Sequence, residues 1–172
     1  MFKKIVRYFR NDKNDVAIAD LKANVSAIDL NDSKSILEAV GLKEKGDQLF
    51  NDSKLAEAKT LYLESISVDP NFVDAFINLG VVFREQKLFS DAILCFDRAI
   101  SINPNEVYAY YNCAIVCQMQ GDLQNAIKQF QKALEHDAYF DLVCLDLAAL
   151  HCQLGDSKSA RIVLLHRLSL TH

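Results

Sequence analysis

The chain has 172 residues, enough for one domain or one short stack of repeats with a tail. It is 51% hydrophobic and 24% charged, a globular balance rather than a disordered one. Its net charge of −4 argues against general nucleic-acid binding, and no run of apolar residues is long enough to span a membrane.

Residues 1–10, MFKKIVRYFR, carry four basic residues and no acidic one. Phe2, Ile5, Val6 and Phe9 fall at helical steps, with Lys3, Lys4, Arg7 and Arg10 mostly off that face. The readings are a frayed tail, contact with an anionic membrane surface, or docking on a partner or on the rest of the chain. The tail is the simplest of these, and one such helix without lipidation is a weak anchor. No apolar h-region follows, so no signal peptide is expected and the chain is read as cytoplasmic. Asn11 to Asp15 reads as a loop, and Val16 to Leu30 as a helix with Ile18, Leu21, Val25 and Ile28 on one face. Asn31-Asp32-Ser33 is expected to break it, with Ser35 and Glu38 forming a capping box for the next helix.

That next helix is expected to run to about Asn51, and its partner from about Leu55 to Val68. Further helix pairs follow over Val73–Asn103 and Val107–Asp137, the second turning at Gly121-Asp122. The last starts near Asp141, turns at Gly155-Asp156 and carries Ile162, Leu164, Leu165 and Leu168 on its final helix. The pairs are copies of one unit. Ala58, Ala92, Ala126 and Ala160 are spaced by 34, as are the small residues Gly46, Gly80, Ala114 and Ala148. Tyr62, Phe96, Phe130 and Leu164 keep a large apolar site at the same spacing. In the second unit Phe76, Leu79, Gly80 and Phe83 share one face of a first helix, and Ala92, Phe96 and Ala99 one face of a second. Gly80 and Ala92 are small where the two helices approach closely. The organisation expected is an N-terminal segment over 1–38 and a repeat domain over 39–172, with units near 39–72, 73–106, 107–140 and 141–168.

Phe76, Leu79-Gly80, Phe83, Ala92, Phe96 and Pro104 follow the order W-x2-L-G-x2-Y, A-x3-F, P. On these residues, and on their recurrence over residues 39–168, the chain resembles the tetratricopeptide repeat family. It departs at Lys45, Ala138, His151 and Arg167, which stand for the expected Leu, Pro, Tyr and small residue. The resemblance implies an all-α, right-handed superhelical solenoid of antiparallel helix pairs, with an N-terminal helical extension. First helices would line a concave groove and second helices the convex side. Groove positions would be Lys43, Glu44, Asp47 and Phe50 in unit one, then Asp74, Ile77, Asn78, Val81, Arg84 and Glu85 in unit two. Unit three would offer Tyr108, Tyr111, Asn112, Ile115, Gln118 and Met119, and unit four Leu142, Leu145, Ala149 and Cys152.

The function implied is a non-catalytic adaptor holding a partner protein or peptide in this groove. Tyr108 and Tyr111 would be its anchors, with Ile77, Val81, Ile115, Leu142 and Leu145 as apolar contacts. Asn78 and Asn112, one repeat apart, could pair with an extended ligand backbone as in the repeat region of O-linked N-acetylglucosamine transferases; a structural role for the repeat is the favoured reading. The basic residues that relatives use to clamp a terminal carboxylate are matched by Lys43 but not by Asp47, Tyr108 or Asn112. The alternatives are a small export or assembly chaperone, or the substrate-recognition part of a larger enzyme such as a glycosyltransferase.

No phosphate loop, GxSxG or HExxH is present, so no enzyme is expected. The five cysteines are odd in number and form no CxxC. Cys113, Cys117 and Cys144 fall on buried repeat positions. That accounts for three members of the one metal or redox set conceivable, which would add His151 and Cys152, and no metal or cofactor is expected. The last helix has only Ser169 to His172 after it, so self-association through it is a further expectation.

Overall fold

The computed structural model describes residues 30–137 and 141–169, and every regular element within them is an α-helix. In order these are α1 (Leu30–Asn51), α2 (Leu55–Val68), α3 (Val73–Glu85), α4 (Phe89–Ile102), α5 (Val107–Met119), α6 (Leu123–His136), α7 (Asp141–Gln153) and α8 (Ser157–Ser169). The expectations for residues 1–29, and for Ala138, lie outside the described residues. The chain divides into two compact units, residues 1–37 and 38–172, and the repeats belong to the second. Among the described residues no helix is long and apolar enough to cross a membrane.

One expectation is overturned. Asn31-Asp32-Ser33 does not break the chain, because α1 runs without interruption from Leu30 to Asn51. Ser35 and Glu38 therefore sit inside a helix and form no capping box. Asn, Asp and Ser each cost a helix only a fraction of a kcal/mol, about 0.5 or so, and a long continuous helix absorbs that.

The repeat works through one contact. A Cβ added at Gly46 would lie 2.6 Å from Cε1 of Tyr62, and one added at Gly80 would meet the Phe96 ring still more closely. Gly46 and Gly80 are thus seats for the rings of their partner helices. Each ring also reaches the next unit. Tyr62 clusters with Leu79 and Val82 of α3, and Phe96 with Ala109, Cys113 and Val116 of α5. Phe130 clusters with Val143, Leu147 and Leu150 of α7. Consecutive helices consequently pack on one another from α2 through α8. Tyr62, Phe96 and Phe130 are 2%, 0% and 0% exposed, whereas their counterpart Leu164, on the last helix, is 37% exposed. Two departures from the repeat pattern find their place here. Lys45 is exposed where Leu79, Cys113 and Leu147 are buried. Arg167, replacing a small residue, donates from Nε to Asp141 on α7 at 2.6 Å.

The turns inside the pairs repeat as strictly as the core. Ser53, Lys87, Gly121 and Gly155 all have φ between 61° and 79°. Each closes the same hydrogen-bonded cap, with the next residue's N–H reaching back five residues: Lys54 to Leu49, Leu88 to Phe83, Asp122 to Cys117 and Asp156 to His151. Only glycine adopts this left-handed backbone without a steric cost. Asp122 and Asp156 then cap the following helices, accepting from the Asn125 and Ser159 N–H groups, while Lys54 and Leu88 give α2 and α4 no side-chain cap. Urea melts should register the difference: Lys87→Gly is expected to stabilise by about 0.5–1 kcal/mol and Gly121→Ala to destabilise by about 1 kcal/mol. Equal shifts of the same sign would contradict the cap.

Candidate functional site

With second helices and rings committed to the core, one stripe of each first helix is left facing outward. The repeat places Asp74, Tyr108 and Leu142 in one column, Ile77, Tyr111 and Leu145 in the next, then Asn78, Asn112 and Asp146, and Val81, Ile115 and Ala149. Tyr108, Leu142, Leu145 and Met119 are about half exposed, at 49–51%. Val81 and Ile115 are half-buried, and Ile77 is buried at 8% and packs into the cluster around Phe96. A cleft of about 290 Å³ brings Ile77, Asn78, Val81, Tyr108 and Asn112 together, with Lys43, Asp74 and Glu106 completing its walls. Tyr111, Ile115, Leu142 and Leu145 lie on first helices outside that lining.

The polar groups of the stripe bind one another across neighbouring units. Asn78 Nδ2 donates to Asp47 Oδ1 at 2.7 Å, joining α3 to α1. Arg84 Nη1 donates to Asn112 Oδ1 at 2.6 Å, joining α3 to α5. The Tyr111 hydroxyl donates to Asp146 Oδ2 at 2.9 Å, joining α5 to α7. Asp47 also accepts from the Tyr62 hydroxyl at 2.9 Å and pairs with Lys43 at 2.9 Å. Asn112 is only 6% exposed, and its Nδ2 donates to the Tyr108 carbonyl at 2.7 Å. Both ends of that amide are therefore engaged within the protein, and Asn78 uses its donor in the same way.

Tyr111 is likewise more embedded than an open anchor. It packs against the cluster around Phe130, ring centroids 5.9 Å apart, besides bonding Asp146. Burial first, and then the hydrogen bond to Asp146, push its phenol up to about 12. Burial and Asp47 raise Tyr62 in the same way. Sequence reasoning named neither Asp146 nor Glu106. Asp146 was within reach, since it falls 34 residues after Asn112 in the same column. Glu106 was not, because it precedes α5 as its N-cap residue and belongs to no helical face.

Burial pushes the thiols of Cys95 and Cys113 up to about 12 and also raises Cys117 and Cys144. Such thiols stay protonated and unreactive at neutral pH. Cys152 is exposed, and among the described residues no three His, Cys, Asp or Glu side chains gather as a metal site would require.

The family model of the tetratricopeptide repeat matches residues 73–106 and 107–140. Among solved structures the chain is similar to the first repeat domain of Spaghetti (RPAP3), solved bound to the HSP90 peptide SRMEEVD. Identity is 24%, 69% of this chain and 94% of that one are covered, and the TM-score is 0.64. It is also similar to the repeat domain of OM64 from Arabidopsis, at 19% identity, 69% and 98% coverage and a TM-score of 0.65. MamA from Desulfovibrio magneticus RS-1 gives 21% identity, 77% and 75% coverage and a TM-score of 0.66. At these identities the likeness is one of fold. No curated protein sequence matches the chain.

The rung between Tyr111 and Asp146 makes a pH prediction. A phenol whose folded value exceeds the unfolded one, about 10, stabilises the fold fully below that pH and loses the contribution as pH rises toward 12. Alkaline stability curves of Tyr111→Phe should therefore fall less steeply than wild type between these two values. An unchanged slope would mean the hydroxyl contributes nothing there.

Proposed function

We infer that this tetratricopeptide-repeat chain is an adaptor that holds a partner polypeptide against the stripe formed by its first helices. The observation that carries the reading is the half-exposed apolar row of Tyr108, Leu142 and Leu145, continuous with a cleft floored by Ile77 and Val81. Large side chains left open on a rigid face, beside satisfied polar groups, are the composition of a protein-binding surface. The structurally similar Spaghetti domain, bound to its peptide, supports the same use of the fold. The reading is of a non-catalytic module.

Tyr108 is the cleaner anchor to test, because Tyr111 also supports the core. Partners captured on immobilised chain and quantified by mass spectrometry should be lost with Tyr108→Ala, whose expected cost is about 2 kcal/mol, some thirtyfold in affinity. Lys128→Ala, on second helix α6, should leave capture unchanged, and helicity should match wild type in both. Loss with Lys128→Ala alone would move the function to the second helices.

A second face bears on assembly. On α8, Ile162, Leu165 and Leu168 are 57%, 53% and 55% exposed beside Leu164. We propose that two chains meet there. Sedimentation should show concentration-dependent association that Leu165→Ser with Leu168→Ser removes; a wild-type monomer at high concentration would end the idea.

A further inference from the structure

The outward stripe has a charge pattern of its own. It carries two cations, Lys43 and Arg84, and both are already engaged. Lys43 Nζ lies 2.9 Å from Asp47, one turn along the same helix. Arg84 donates one Nη to Asn112 and the other to Glu85, the latter at 2.9 Å. Their side chains are only 22% and 18% exposed. The carboxylates are in excess. Asp74 and Glu106 line the cleft beside Ile77, Val81 and Tyr108, and neither forms an ion pair among the described residues. Further along, the counterparts of Asp74 and Ile77 are Leu142 and Leu145, both half exposed. The stripe therefore runs from an acid-rimmed cleft to an aliphatic surface where the carboxylate of Asp146 is taken up by the Tyr111 hydroxyl.

We propose that the segment held here is cationic and aliphatic: Lys or Arg side chains at Asp74 and Glu106, joined to apolar residues lying over Leu142 and Leu145. The proposal rests on the reading of this stripe as the partner-binding face. A long basic side chain fits the cleft because its methylene stem covers Ile77 and Val81 while its charged head stays at the wet rim. An acidic segment is selected against. To pair with it, Arg84 would have to leave the buried Asn112 oxygen and Lys43 the part-buried Asp47, while Asp74 and Glu106 repelled the newcomer. The change of character along the stripe also orders the segment, with its basic residues toward α3 and its apolar ones toward α7.

A display selection of random peptides against the full chain tests this. Recovered peptides should be enriched in Lys and Arg next to Leu, Ile, Val or Phe, and depleted in Asp and Glu. A synthetic copy of one, followed by fluorescence anisotropy at low salt, should bind Asp74→Asn/Glu106→Gln about five- to tenfold more weakly, the worth of two exposed ion pairs. That difference should shrink as salt is added. Leu142→Ser/Leu145→Ser should weaken binding at every salt concentration. Enrichment of acidic peptides, or basic ones indifferent to Asp74 and Glu106, would overturn the charge assignment. If those peptides still depended on Leu142 and Leu145, the binding face itself would stand. Peptides indifferent to all four residues, or a selection that recovers none, would overturn both.

Discussion

A ring pressed into the seat left by a small residue sixteen positions earlier is the contact on which this chain depends. Tyr62 sits over Gly46 and Phe96 over Gly80, so closely that a single added methyl group would enter the ring. The same ring then faces the following unit, so the contact that closes one helix pair also stacks it on the next. Burying an aromatic side chain of this size stabilises by roughly 1.5–3 kcal/mol, and sharing it between two interfaces couples neighbouring units. Where the column ends, at Leu164, the side chain is left over a third exposed and the last helix keeps an apolar face.

That arrangement decides which surface is left open. Second helices turn their rings inward against two first helices, and the first helices keep an outward stripe. The stripe is held by polar rungs between units: Asp47 with Asn78, Arg84 with Asn112, Tyr111 with Asp146. Groups bonded in this way are already oriented and partly desolvated, so in the proposed binding role a ligand meets a surface that needs little ordering. The same bonding engages both ends of the Asn112 amide, so in the proposed binding role recognition falls to apolar side chains and to the carboxylates at the cleft rim.

Much of the fold was legible in the sequence because a repeat tests itself. The columns through Ala58, Gly80 and Phe96 located each helix pair, and Leu55–Val68 was placed to the residue. The turns were legible only in half their copies. Gly121 and Gly155 announce a left-handed residue, while Ser53 and Lys87 adopt the same backbone without any compositional sign. The misplaced break at Asn31-Asp32-Ser33 has a similar origin. Local propensity is worth tenths of a kcal/mol there, and the continuing helix outweighs it.

The sequence by itself determined the helices, their pairing and the columns that face inward or outward, because each follows from side-chain size recurring at a fixed period. It could also name Tyr108, Leu142 and Leu145 as outward residues, since the period assigns them a face. Only the tertiary structure decided which outward polar groups are spent. Asn112, Asp47, Arg84 and Tyr111 each find a partner 15 to 35 residues away, on another helix, at a distance that depends on how closely the units stack. Hydrogen bonds reach only about 3 Å, so periodicity, which fixes direction along a helix, says nothing of whether two such groups meet.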